Sequence, residues 1–265
     1  MSVTKSLVGA KVLVTRPQGQ GEGLVAAIQR EGGEASHYPV MLITALNSVV
    51  EPERVQRCKQ LIMELDQFQQ IIFISTNAVN FGMEWINQYW PQLPTGIHWH
   101  GIGNRTIEQL IAAGVPATSA DDGAMNSEAL LQHKSLQQLS RQKALIIRGV
   151  DGREYLAQQL SQRGATVSYA ECYQRTLVEK PVGDINIVME RQAINALCVN
   201  SGESLQNLCV LIGRGHIDAV KRMLLVVPSA RVAMMAREEG FKKITVADNA
   251  SDKSIVAALL AAYEK

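Results

Sequence analysis

Hydroxyls, amides, glycines and arginines recur in this 265-residue chain at one kind of place, just after a short β-branched run. The groups are Thr15-Arg16-Pro17, Ser75-Thr76-Asn77, Gly101 through Thr106, Arg148-Gly149, Asn200-Ser201-Gly202 and Pro228-Ser229-Ala230-Arg231. At the start of a helix, such residues leave backbone N–H groups and the helix dipole pointing at an anion. Any single group reads equally well as an ordinary N-cap. Arginines add to the pattern. Arg105, Arg153 and Arg231 fall in or near predicted first helical turns, where a cation opposes the dipole, and Arg16 and Arg148 flank two further strand ends. Five arginines around one face predict a site for carboxylates or phosphates, with lone surface salt bridges as the competing explanation.

One phenol joins this set. Tyr173 lies in Cys172-Tyr173-Gln174-Arg175-Thr176, a stretch without helical period. A phenol of ordinary pKa stays protonated at neutral pH and can donate a proton or a hydrogen bond. Spacing alone favours the plainer reading, a half-buried linker tyrosine. Other motifs fail on inspection. Gly19-Gln20-Gly21-Glu22-Gly23 resembles a dinucleotide loop, but Leu24 stands at the third glycine position. No phosphate-binding G-x-x-x-x-G-K-[ST] occurs. His98 and His100 would share a strand face, yet no third ligand has diagnostic spacing, so a structural role is expected and no metal. No Ser–His–Asp order can be defended.

The elements that must hold these residues read as strand alternating with helix. Apolar runs at 11–15, 34–38, 71–75, 97–101, 115–118, 143–148, 166–170, 196–200, 223–227 and 243–246 have the continuous character of strands buried on both faces. Amphipathic stretches at 23–31, 107–113, 128–139, 154–163 and 231–239 lie between them. Gly32-Gly33, Gly114, Gly164 and Gly240 mark helix ends, and Asp151 with Glu154 reads as a capping box. Parallel sheets covered on both faces follow. Ten strands suit two sheets of about five, their working loops facing a cleft between two domains. The chain divides either near residue 140 or through two extended crossings, at 37–41 and 171–175. There is no repeat at a fixed short period.

Bulk properties exclude several classes. The formal net charge of +1 argues against general nucleic-acid binding. No run of 18 apolar residues and no leader pattern occur, so a cytoplasmic location and no membrane contact are expected. The four cysteines show no C-x-x-C spacing and read as buried free thiols.

Taken in order, the segments resemble the uroporphyrinogen-III synthase family, the cyclases that make the first macrocycle of haem, sirohaem and cobalamin synthesis. The likeness runs through Thr15-Arg16-Pro17, Phe73 to Val79, Gly101-Ile102-Gly103 with Thr106, Ser127 to Leu131 and Arg148-Gly149 with Gly152-Arg153-Glu154. It continues through Tyr173-Gln174-Arg175, Ser201-Gly202-Glu203, Pro228-Ser229 with Arg231, and Gly240-Phe241.

The resemblance implies an α/β fold of two flavodoxin-like doubly wound parallel-sheet domains joined by a two-stranded linker. The first domain would be discontinuous, 1–37 plus 177–265, and the second 42–169, with linkers at about 38–41 and 170–176. It implies a linear hydroxymethylbilane substrate carrying carboxylates, handed over from the preceding bilane-forming enzyme, no cofactor, and a monomer. Tyr173 becomes the catalytic candidate. Arg16, Ser75, Asn77, Thr106, Arg148, Gly149, Arg153, Ser201, Gly202 and Ser229 become substrate-binding candidates. The rival from another class is a non-catalytic cleft protein that binds a polyanionic tetrapyrrole or metabolite.

Overall fold

The computed structural model describes residues 7–118, 127–152, 154–213 and 217–264. Its elements begin with β1 (Lys11–Val14), α1 (Glu22–Arg30), β2 (Glu34–His37) and β3 (Met41–Ala45). Next come α2 (Pro52–Met63), β4 (Gln70–Phe73), α3 (Thr76–Tyr89), β5 (His98–Gly101), α4 (Asn104–Ala112) and β6 (Ala117–Thr118). Then follow α5 (Ser127–Leu130), β7 (Lys143–Gly149), α6 (Tyr155–Gln162) and the long β8 (Thr166–Leu177). The remainder is α7 (Asp184–Arg191), β9 (Ala196–Cys198), α8 (Gly202–Ile212), α9 (Ile217–Val220), β10 (Leu224–Val227), α10 (Ala230–Glu238), β11 (Lys243–Val246) and α11 (Asp252–Tyr263). The chain forms two compact units, Met1–Ile43 with Thr176–Lys265, and Thr44–Arg175.

The first unit holds a five-stranded sheet in the order β11-β10-β9-β1-β2, with every neighbouring pair parallel. Strand alternation sends Leu13, Leu197, Leu225 and Val227 to one face, against Ile185 of α7, Leu205 and Leu208 of α8, and Val232 of α10. Val12, Val14, Ala196, Cys198 and Val226 go to the other, against Leu24 and Ile28 of α1 and Ile255 and Leu259 of α11. Both faces are therefore dry, which is why these strands are apolar at successive positions. Each fully buried Leu or Ile contributes roughly 1.5–3 kcal/mol.

The second unit's sheet runs β3-β8-β7-β4-β5-β6, and the pairs β8–β7, β7–β4, β4–β5 and β5–β6 are parallel. Ile72, Ala144 and Ile146 pack against Leu130, Leu131, Leu156 and Leu160. On α3, Gly82 lets the helix close on the sheet, since a Cβ there would stand 2.7 Å from Ile147. The β7–β8 ladder is irregular. Arg148 faces Glu171, but Gly149 faces Tyr173, so β8 carries one extra residue, Cys172, in a β-bulge.

Inside this sheet His100 is fully buried. Its Nε2 lies 2.9 Å from Gln70 Oε1, the His133 ring packs edge-on at 5.2 Å, and Nδ1 has no partner among the described residues. Burial first, then the His133 and His98 charges, lower its pKa to about 3. The unfolded chain binds this proton below about 6.5 and the folded chain refuses it until about pH 3. Stability is thus fully present above the ordinary histidine range and falls by about 1.4 kcal/mol per pH unit beneath it. Urea midpoints at pH 7 and pH 5 should separate more for the natural chain than for His100→Gln. Equal separations would refute the assignment.

The two units repeat one another. Ser75 and Ser201, Arg105 and Arg231, and Gly114 and Gly240 are each the same number of residues apart, and so are the starts of α3 and α8, β5 and β10, and α4 and α10. A second constant offset relates Lys143, Arg148, Glu154 and Gly164 to Lys11, Arg16, Glu22 and Gly32. The spatial order β6-β5-β4-β7-β8 then matches β11-β10-β9-β1-β2 element for element.

Two local expectations differ from the structure. The stretch 128–139 is not one helix: α5 stops at Leu130 and a separate 3₁₀ turn spans Lys134–Leu136. Side chains take the carbonyls that would continue it, Arg163 at Leu131 and Leu136, and Gln137 at Leu131 (2.7 Å). Asp151 does not cap α6. It adopts a left-handed φ of 58°, and the carboxylate of Glu154 is occupied elsewhere.

Candidate active site

At the carboxyl end of β4 the backbone stays extended through Ser75, whose Oγ accepts the Ala78 N–H at 3.1 Å and so caps α3. The same Oγ lies 3.1 Å from the Tyr173 phenol oxygen. Tyr173 is only 4% exposed. Its ring stacks on Phe81 of α3, centroids 5.3 Å apart, and lies close against Gly149, where a Cβ would stand 2.5 Å from Cε2.

The bulge explains this placement. Successive residues of a regular strand point to opposite faces. Here Cys172 meets Cys58 on α2, while the next residue meets Ser75 and Phe81 on α3, and α2 packs on α3. The extra residue turns the tyrosine into a helix layer that alternation would have denied it.

Arg148, at the end of β7, is 3% exposed and fully engaged. Its Nε donates to Gly149 O at 3.1 Å, Nη1 to Glu154 at 3.0 Å, and the guanidinium stacks 4.5 Å from the Tyr169 ring. Tyr169 donates to the other oxygen of Glu154. Burial and then Glu154 push the Tyr169 phenol up to about 12, while hydrogen bonds from Tyr169 and then Arg148 hold the Glu154 carboxyl below its usual range. Gly152 is compact for the same reason, since a Cβ would stand 2.8 Å from the Arg148 guanidinium. Asn77 and Thr106 sit in the first turns of α3 and α4, Thr106 buried. Arg153 lies outside the described residues.

In the first unit Arg16 is likewise spent on its surroundings. It pairs with Asp252 at the start of α11 and donates to Ala250 O at 2.7 Å, while His37 Nε2 contacts the Arg16 carbonyl at 2.9 Å. Ser201 caps α8 by accepting the Ser204 N–H at 3.0 Å, and Ser229 caps α10 through Val232 at 3.4 Å. Gly202 leaves room for Met235, whose Sδ would stand 2.8 Å from a Cβ.

Of the residues singled out from the sequence, direct contact joins Ser75, Tyr173 and Gly149, whose carbonyl accepts from Arg148. Arg148 and Arg16 brace loops within their own units. Sequence reasoning missed Phe81, Tyr169, Glu154 as an acceptor, and Asp252. The constant offset between Arg16 and Arg148 was a usable signal for the repeated brace. No group of three or more His, Cys, Asp or Glu among the described residues could hold a metal ion.

What the set can do chemically is donate protons and hydrogen bonds, from a part-buried phenol–hydroxyl pair and from capped helix starts. Comparison with known proteins then gives the family. The family model described as uroporphyrinogen-III synthase HemD matches residues 22–257. The uroporphyrinogen-III synthase of Escherichia coli K12 is 31% identical over 252 residues, covering 94% of this chain and 99% of that protein. The Salmonella typhimurium LT2 protein of the same name is 32% identical over 250 residues, again 94% and 99%. Among solved structures, a mutant uroporphyrinogen III synthase from the extreme thermophile Thermus thermophilus has a TM-score of 0.59 at 17% identity, covering 97% and 98% of the two chains. The Helicobacter pylori 26695 uroporphyrinogen-III synthetase has 0.58 at 12%, covering 96% and 99%. These two likenesses carry the α/β fold, and the sequence matches carry the kinship: this chain belongs to the uroporphyrinogen-III synthase family.

Proposed function

We propose that this chain, a uroporphyrinogen-III synthase by family and so a cyclising hydro-lyase of porphyrin and haem biosynthesis, closes linear hydroxymethylbilane with loss of water and inversion of ring D. The carrying observation is the 3.1 Å contact between Tyr173 and Ser75 on a strand bulged beside it, in a chain of this family. Loss of the hydroxymethyl group's water from ring A gives an azafulvene. The substituted α-carbon of ring D attacks it to form a spiro-pyrrolenine, and cleavage with re-closure inverts the ring. Tyr173 assists departure of the hydroxyl. As its proton leaves, the Ser75 hydroxyl can turn its own hydrogen onto the phenol oxygen while its lone pair stays with the Ala78 N–H. Asn77, Thr106, Ser201 and Ser229 hold carboxylates or pyrrole groups, Gly149 and Gly202 belong to the same substrate-binding set, and Arg16, Arg148 and Arg153 set the local field. Since closure to the uninverted isomer needs no enzyme, selection of the product rests mainly on holding rings A and D in one geometry.

The finer fold reading belongs to the same proposal. Two flavodoxin-like domains, 1–37 plus 177–265 and 42–169, are joined by linkers at about 38–41 and 170–176. Supporting it, the first unit's sheet has the order 2-1-3-4-5 in chain numbering, and the neighbouring strands β3 and β8 contain both unit boundaries. The protein acts as a cytoplasmic monomer without cofactor, on bilane passed from the enzyme that makes it. No helix among the described residues is long and apolar enough to cross a membrane.

The test supplies hydroxymethylbilane, oxidises the products and separates type I from type III uroporphyrin. Predominant type III, absent without protein, is expected. Type I alone at the spontaneous rate, from folded protein, would overturn the proposal.

A further inference from the structure

Two thiols without a role in that chemistry lie against each other in the second unit. Cys58 of α2 and Cys172 of β8 are both buried, and their Sγ atoms are 3.5 Å apart. A disulfide brings sulfurs to about 2.05 Å, so roughly 1.5 Å of approach separates this pair from a bond. Cys58 also lines a cavity of about 120 Å³, shared with Arg54, Arg57, Tyr169 and Glu171. One water needs only about 10–15 Å³ of such space, so the cavity has room for a small hydroperoxide. Arg54 is committed to Glu51 and Glu171, whereas Arg57 is exposed and makes no ion pair among the described residues. A guanidinium at the rim favours the anions of thiol oxidation, the attacking thiolate and the departing hydroxide.

We propose that Cys58 and Cys172 form an oxidant-reactive dithiol, which small hydroperoxides convert to a disulfide that displaces Tyr173. The Cys58 thiolate attacks one peroxide oxygen, the O–O bond breaks, and the leaving oxygen takes a proton to become water or an alcohol. Cys58 is then a sulfenic acid. The Cys172 sulfur attacks it, the S–S bond forms, the S–O bond breaks, and the hydroxyl departs with the Cys172 proton as water. Two thiols lose two electrons and the peroxide gains them. The order follows from position: Cys58 faces the cavity, while the Cys172 thiol is pushed up by its hydrogen bond to Cys58 and by burial, and keeps its proton until the second step.

The bulge links this site to the phenol. Cys172 is the residue of β8 without a partner in the β7 ladder, so it can be drawn toward α2 without losing a β7 pairing of its own, and the pull falls on the next residue. Tyr173 is its covalent neighbour, close against Gly149 and stacked on Phe81. An ångström of drift there is enough to lose the alignment that turnover needs.

The activity half of the inference rests on the role proposed for Tyr173; the disulfide half does not. The experiment treats the reduced full chain with hydrogen peroxide, blocks remaining thiols by alkylation, maps peptides without reduction and assays turnover in parallel. A Cys58–Cys172 linked peptide, an intact mass lower by two hydrogens before alkylation, and an at least tenfold fall in turnover reversed by dithiothreitol are expected. Cys58→Ser should show neither link nor reversible loss. Should that variant fail to fold, the peptide map of the natural chain still decides. Both thiols still alkylatable after oxidation of Cys209, or a sulfinic acid at Cys58 with no link, would overturn the dithiol. A link with unchanged turnover would overturn the displacement of Tyr173. Absence of turnover before oxidation would strike the enzymatic reading while leaving the mapping valid.

Discussion

Tyr173→Phe is expected to lower turnover by about 10²-fold without abolishing it, at nearly unchanged KM. General-acid assistance typically contributes 10²–10⁴-fold. The lower end applies because the azafulvene also forms readily in water. The substitution removes only the phenol oxygen. The ring keeps its stack on Phe81 and its seat on Gly149, and Ser75 still caps α3 through Ala78. Stability should fall by no more than about 1 kcal/mol, the net worth of one hydrogen bond. A growing share of type I product should accompany the slower turnover, since spontaneous closure then competes. Wild-type turnover in the variant would remove Tyr173 from the mechanism.

Gly149→Ala is expected to do comparable harm while leaving every hydroxyl in place. Its methyl carbon would stand 2.5 Å from Cε2 and 2.8 Å from Cζ of Tyr173, closer than real carbon contacts. The ring is also held by its stack on Phe81, centroids 5.3 Å apart, which any retreat must disturb. Overpacking of this kind costs about 1–3 kcal/mol. The displaced phenol leaves Ser75, so turnover should drop toward the level of Tyr173→Phe. Combining the two substitutions should add little further loss of turnover, as expected for residues acting through one group. Full activity in Gly149→Ala, or simple multiplication of the two effects, would show that the position of the ring does not matter.

Much of the scaffold was legible in the sequence. Runs such as Lys143–Arg148 and Met223–Val227 lie within a residue or two of β7 and β10, because strands buried on both faces are apolar without interruption. Helix periodicity misled at 128–139, where Arg163, distant in sequence, takes the carbonyls that a continuing helix would need. Ser75, Gly149 and Tyr173 could be named from their types and order. Their mutual contact could not, because it depends on a bulge that pairing alone reveals. The trace of that bulge was the run Ala170, Cys172, Tyr173, whose burial breaks strict alternation. Charge was read less well than position. Arg16 and Arg148 stood out as cations beside strand ends, with salt bridges as the competing explanation, yet their partners Asp252 and Glu154, at helix starts, could not be named from spacing.

The split first unit sets a schedule for synthesis. β1 lies in mid-sheet, between β2 and β9, and the Thr15 hydroxyl donates to the Cys198 carbonyl 183 residues further on. At 5–20 residues per second the ribosome needs roughly 10–40 s to supply that neighbour. During this interval the second unit, continuous in sequence, can close, while Val12, Leu13 and Val14 wait with one ladder edge open. The nascent β1–α1–β2 unit is therefore the stretch most in need of chaperone cover, and slowing translation after β8 should lower the yield of soluble protein.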